Sequence, residues 1–183
     1  MIGLGACNRT PKTIDPTSPT AARAQLDVLR DTVNGHWEGM IASDDAKIKT
    51  TSQLLKALEE QPGADRAQLT QLEQANNRLP RLRYSQQSMA ASDRIDAYDA
   101  AQDSLLHVVY ALALPATGAP TPAIETMAQT IQESDNQVIA YRLRYDEAAK
   151  HFNEYLQQHQ EGLTSLGGKY AKLQPLPLFT IME

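Results

Sequence analysis

Between Ile131 and Leu156 the chain places Ile131, Asp135, Val138, Arg142, Tyr145, Ala149, Phe152 and Leu156 at alternating steps of four and three residues. That repeat follows the helical turn closely enough to put all of them on one side of one helix, and an apolar stripe so long has to be covered by other helices. The same spacing recurs upstream. Leu26, Leu29, Val33, Trp37, Met40, Ile48, Leu55 and Leu58 follow Ser18-Pro19, a capping residue and then a proline where a missing N–H does no harm, and the pattern stops at Pro62-Gly63. One helix of about 40 residues, about 60 Å long, is predicted there. A second helical region is predicted from about Ala64 to Leu114, with Leu69, Leu72, Leu79 and Leu82 early, Ile95, Tyr98, Leu105, Val109 and Leu112 later, and a kink or break at Pro80. After the proline-rich loop Pro115 to Pro122, a last helix runs to about Gln160, and no segment alternates as a strand would. The expected fold is all-α: an antiparallel bundle of long helices over residues 21–160, between an N-terminal tether at 1–20 and an extended C-terminal tail at 161–183.

Asp135 and Arg142 stand in the stripe that its apolar members mark as buried, and a charge there must be paired or reach the edge. Arg142 is predicted to pair with an inward carboxylate, and Asp44 on the first helix is the first candidate; otherwise both charges rim the stripe. Gly35 and Gly39 each weaken the first helix by about 1 kcal/mol relative to alanine, which implies a close-packed neighbour beside Trp37, with the last helix expected in that place.

The net charge of −5 and a pI near 5.4 leave no basic footprint for DNA or RNA, so nucleic acid is not expected as a partner. The longest apolar run, Val108 to Pro115, is far short of the roughly 20 residues that span a bilayer. A different membrane attachment is suggested at the other end. Leu4-Gly5-Ala6-Cys7 is the pattern after which bacterial lipoprotein precursors are cut to leave a lipid-bearing cysteine, and Cys7 is the only cysteine in the chain. Met1 to Ala6 carries neither the basic nor the apolar part of a signal peptide, so the reading requires a longer precursor. Asn8 to Thr20, rich in proline and threonine, reads as a tether spanning about 20 Å as a flexible coil, which would hold the domain just off a membrane surface.

The stretch Asn136 to Asn153 resembles, without a gap, the C-terminal motif of the bacterial LemA family, approximately Glu-Asn-x-Ile-x-x-x-Arg-x-x-Tyr-Asn-x-Ala-Val-x-x-Tyr-Asn. Asn136, Arg142, Tyr145, Ala148 and Asn153 are identical to it, and Asp135, Val138, Asp146 and Phe152 are conservative replacements. Val33 and Trp37 are similar to the family's first-helix segment ending in Ala-Trp. Gly168 with Pro175, Pro177, Leu178 and Phe179 is similar to its Gly-Phe-Lys-Pro-x-Pro-Leu-Phe tail. The family's apolar Leu-Ile-Pro-x-Leu-Val stretch is Thr50 to Leu55 (TTSQLL) here, and its Phe-Pro after the last helix is missing. The resemblance implies a four-helix bundle held at the bacterial cell envelope by an N-terminal anchor, with no established enzymatic activity; a lipidated Cys7 would replace the family's usual membrane helix.

The sequence carries no recognisable catalytic or metal-binding motif. A di-iron bundle needs Glu-x-x-His pairs, which do not occur here; His151 and His159 lie about 12 Å apart along a helix, too far to share an ion; and Asp103 with His107 reads as an ordinary i, i+4 contact. Gly167-Gly168 reads as a turn, and no nucleophile elbow is present. The tetrapeptide RLRY occurs at Arg81 to Tyr84 and again at Arg142 to Tyr145, but its flanks do not align, which suggests coincidence. No cofactor, metal or catalytic residue is expected. The apolar side chains of Leu173 to Ile181 need cover, either by folding back along the bundle or by docking on a partner or membrane. The expectation is a non-enzymatic interaction or scaffold protein, lipid-anchored and facing the periplasm or cell exterior, whose bundle meets an unknown envelope protein. The alternative is a small-molecule binding or sensor bundle with a cavity among Trp37, Tyr141 and Tyr145, for which about 300 Å³ would be needed.

Overall fold

The computed structural model describes residues 18–115 and 119–179; Cys7, the tether as far as Thr17, and Ile181 lie outside the described residues. Among those described, all regular structure is helical. It comprises α1 (Pro19–Glu59), α2 (Arg66–Leu82), α3 (Ser92–Ala113), α4 (Pro122–Asn136), α5 (Val138–Gln158) and α6 (Gln160–Ser165), with single 3₁₀ turns at Ser88–Ala90 and Tyr170–Lys172.

Local chemistry sets the boundaries. Ser18 opens α1 in extended backbone and its hydroxyl accepts from the Ala21 N–H at 3.2 Å, with Pro19 in the first turn. Asp65 opens α2, its Oδ1 accepting from the N–H groups of Ala67 and Gln68, both at 3.0 Å. The turn between α1 and α2 uses Gly63 at φ +79°, a left-handed conformation that glycine adopts without penalty.

The unbroken α1 contacts every other α-helix, so the core is organised around it. Leu26, Val33 and Leu54 of α1 meet Val109 of α3, Ile131 of α4, and Tyr145, Ala149 and Phe152 of α5, each at most 1% exposed. Burying a side chain of this kind is worth about 1.5–3 kcal/mol, and the sum over the core outweighs the low helix propensity of α1's two glycines.

Four expectations need correction. The predicted second region is two helices: α2 runs two residues beyond Pro80 and ends at Leu82, and the break lies at Arg83 to Ala91. Pro80 stands in the last turn, where it forfeits only the bond its own N–H would have made, while the Arg83 N–H still reaches the Leu79 carbonyl at 3.0 Å. Leu82 is not core but 54% exposed. The last helix is divided at Gln137, whose N–H is shared between the carbonyls of Glu133 at 3.2 Å and Ser134 at 3.3 Å, a one-residue tightening toward 3₁₀ geometry. Only Gly39 has the expected neighbour: a Cβ there would meet the Tyr141 ring of α5 at 3.9 Å, whereas one on Gly35 would meet nothing within 4 Å.

Candidate functional site

Two adjoining clusters collect the side chains with something to do: a network of ions between α1, α3 and α4, and a groove of α1 and α5 filled by the chain's own C-terminal segment.

The ion network is centred on Asp44. Its carboxylate accepts from Arg83 Nη2 at 2.6 Å, from Gln102 Nε2 at 2.6 Å and from the Tyr98 hydroxyl, with Lys47 Nζ at 3.9 Å. Lys47, 3% exposed, donates to the Gln102 side-chain carbonyl and to Asp135 Oδ1 at 2.9 Å. Arg83 also reaches Asp45 at 2.6 Å. Every charge therefore has a counter-charge, the condition on which buried ions are tolerated. Burial opposes the charge on Arg83, but bonds to Tyr98, Asp45 and Asp44 outweigh it and raise its pKa.

Arg142 corrects a specific expectation. Its partner is Asp99 of α3, with Nη2 to Oδ1 at 2.7 Å, and Tyr84, whose hydroxyl accepts at 3.3 Å. Asp44, the carboxylate expected there, is engaged by Arg83 because the break after α2 turns residues 83–84 inward between α1 and α3. Of the other stripe charge, Asp135, the side chain is 40% exposed and bound to Lys47.

Beside Arg142 the groove begins. Residues 173–179 run along α5 as an extended strap, and the helix holds its main chain at three points. Asn153 makes a pair of bonds to Leu176, donating from Nδ2 to the carbonyl at 2.8 Å and accepting the N–H on Oδ1 at 2.7 Å. The Tyr145 hydroxyl donates to the Pro177 carbonyl at 3.1 Å, and Asp146 Oδ1 accepts the Phe179 N–H at 2.8 Å. Burial pushes the Asp146 carboxyl above its ordinary pKa, against the pull of that N–H and of Lys150 and Arg142.

The strap ends in an aromatic plug. The Phe179 ring, 5% exposed, stacks on Trp37 at 6.5 Å between centroids and meets Tyr84 and Tyr145 edge-on at 5.8 and 5.6 Å, with the Arg142 guanidinium 5.1 Å from its centroid. Trp37 itself packs edge-on against Tyr145 at 5.5 Å. These offset and edge-on arrangements suit ring quadrupoles. The tyrosines of the two RLRY repeats thus close on the same two rings, and the leucines, Leu82 and Leu143, are both more than half exposed.

The remaining expected site residues are dispersed. Phe152 is buried with the Arg30 guanidinium over its ring, and Asn136 is exposed at the end of α4. His159 packs on the Tyr155 ring at 4.2 Å; His151, Asp103 and His107 are exposed. Among the described residues no group of three His, Cys, Asp or Glu side chains is placed to hold a metal ion, and no helix is long and apolar enough to cross a membrane. Trp37, Tyr145 and Phe179 pack directly on one another, and beside Tyr141 a cavity of about 30 Å³ is left, lined by Met40, Arg83, Tyr98 and Arg142 among others. That is room for one water.

Four residues central here carried no weight in the sequence: Lys47, Arg83, Tyr84 and Gln102. A signal existed for Lys47, because Met40, Asp44, Lys47, Thr51 and Leu54 continue the steps of four and three through polar residues. Comparison with known proteins adds nothing to this geometry: no family model, no curated protein and no solved structure matches the chain.

The buried phenols predict alkaline lability. Burial pushes Tyr145 and Tyr110 up to about 12, and raises Tyr84 and Tyr98 too. An unfolded tyrosine ionises near 10. Between these values the folded chain holds more protons than the unfolded one, so stability falls as pH rises from about 10 to about 12, by of order 1 kcal/mol per pH unit for each such phenol. Urea midpoints measured across that range should drop steeply, and phenolate absorbance should appear in step with unfolding; titration of all the tyrosines in the folded chain near pH 10 would contradict the arrangement.

Proposed function

We propose that this chain is a LemA-like protein of the bacterial cell envelope: an antiparallel four-helix bundle, non-enzymatic, lipid-anchored through Cys7, facing the periplasm or cell exterior and serving to bind another envelope protein. One observation carries the kinship. The segments that resemble the family, the Asn136 to Asn153 motif, the first-helix Trp37 and the Pro-x-Pro-Leu-Phe tail, are separated in sequence yet meet at one place, where Arg142, Tyr145, Asp146 and Asn153 hold the tail against Trp37. Parts that act on one another physically are matched together, which separate chance matches have no reason to produce. The non-enzymatic reading is supported by the use of these polar groups: Asn153, Tyr145, Asp146 and Arg142 are committed to the tail or to Asp99.

The anchor has its own support in the four residues ending at Cys7 and in the proline- and threonine-rich stretch after it. The protein should be expressed from its native gene with upstream sequence, captured from membranes, and its N-terminal peptide examined by mass spectrometry. The expected result is a mature chain that begins at Cys7 and carries acyl chains, two or more being needed for stable anchoring. An unmodified Cys7 in membrane-derived protein would overturn the anchor. Capture of the same protein after mild crosslinking should recover a partner that a chain with Cys7→Ala, left unanchored, does not.

A further inference from the structure

We propose that the α1–α5 groove is a recognition site for an extended Pro-x-Pro-Leu-Phe segment, and that the occupant it takes from outside is the tail of a second copy of this chain. The inference stands on the geometry of the groove and is independent of the anchor. Asn153, Tyr145 and Asp146 all bind main-chain atoms of the strap, and the side-chain specificity is concentrated in the Phe179 plug. Such a site reads an extended backbone with one aromatic anchor, the logic of grooves that receive proline-rich peptides. None of these contacts depends on the strap belonging to the same molecule.

The strap is suited to being passed between molecules. Pro175 and Pro177 restrict themselves and the residues before them to extended backbone, so little conformational freedom is lost on docking. Along its first half it lies over a space of about 570 Å³ bounded by Leu173, Gln174 and Pro175 on one side and Asn153, Leu156 and Leu163 on the other, so that this half is not closely packed. Gly167 and Gly168, at φ +68° and +59°, precede it and can change direction without steric penalty. Past Phe179 the groove continues as a hollow of about 260 Å³ beside Ile95, Ile139 and Arg142, and Ile139 is 66% exposed. The chain's own strap is the default occupant because its short connection gives it an effective concentration of order mM; exchange therefore becomes visible when that strap is weakened or copies are crowded.

Two full-length variants test the idea. Phe179→Ala removes the plug but leaves the groove; Asn153→Ala damages the groove but leaves the strap. In sedimentation each alone should remain monomeric, and an equimolar mixture should form a dimer, since one chain supplies the groove and the other the strap. A labelled peptide of residues 173–183 should bind the Phe179→Ala chain at least ~10-fold more tightly than it binds the wild type, whose own strap competes, and a peptide carrying the same substitution should lose at least ~10-fold, as expected for a central aromatic anchor. Should either variant fail to fold by circular dichroism, wild-type chains produced with Cys7 unmodified and labelled there with donor or acceptor dyes provide the readout. Energy transfer should rise with concentration and vanish in excess peptide. Absence of peptide binding, or indifference to the phenylalanine, would overturn the groove. Peptide binding without any mixed dimer or energy transfer would overturn the second copy as occupant.

Discussion

Asp44→Ala is expected to cost about 3 kcal/mol of stability, because it removes the most buried acceptor of Arg83, Gln102 and Tyr98 and leaves Arg83 with only the exposed Asp45. Arg83 and Lys47 have side chains only 12% and 3% exposed, and Asp44 is the group to which Arg83, Gln102 and Tyr98 all donate. For a domain of this size the thermal midpoint should fall by roughly 10 °C. Asp45→Ala is the control: its side chain is 60% exposed and shares the same Arg83, so a loss below about 1 kcal/mol is expected. Urea denaturation of the two variants beside the wild type measures the difference. Equal losses would mean that the network acts as surface charge and not as a buried device.

Phe179→Ala is expected to cost about 3–4 kcal/mol, in the range for deleting a buried aromatic ring. Its effect differs in kind from a mutation inside a helix. The ring is the outermost part of a strap, so its removal frees residues 173–179 and exposes Trp37 while the helices keep their own contacts. Far-UV circular dichroism should change little, and tryptophan fluorescence should shift toward the red and become quenchable, Trp37 being the only tryptophan. A Phe179→Leu chain should recover part of the loss by refilling the space. A stability unchanged by Phe179→Ala would show that the strap does not close the core.

The fold class was legible because spacing is a local property. The steps through Leu26, Val33 and Met40 in α1, or through Tyr145, Phe152 and Leu156 in α5, put one side of each helix out of water whatever covers it, and Ser18-Pro19 states a helix start that three residues settle among themselves. Partner choice is not local. Arg142 announced by its place in the stripe that it needed a carboxylate, but which one depended on how the chain leaves α2, and that exit at Arg83 and Tyr84 follows no period. Leu82 failed for the same reason: the helix ends there, so the stripe no longer governs its direction. The groove was half visible. Tyr145, Asn153 and the apolar strap were each singled out, yet nothing in either segment states that the amide of Asn153 lies opposite the main chain of Leu176, since such a contact is written in no single segment and arises when two are brought side by side.

Because Phe179 completes a cluster founded on Trp37, the core has a fixed order of assembly. At about 5–20 residues per second, synthesis of the stretch from Trp37 to Phe179 takes on the order of 10 s. Over that interval the nascent chain can form α1 and bring later helices against it, but the gap beside the indole stays open until Phe179 has emerged. Full closure thus waits on the emergence of Phe179, and a chain cut even a few residues short of it would be a helical product that a protease or chaperone could recognise by its unplugged indole.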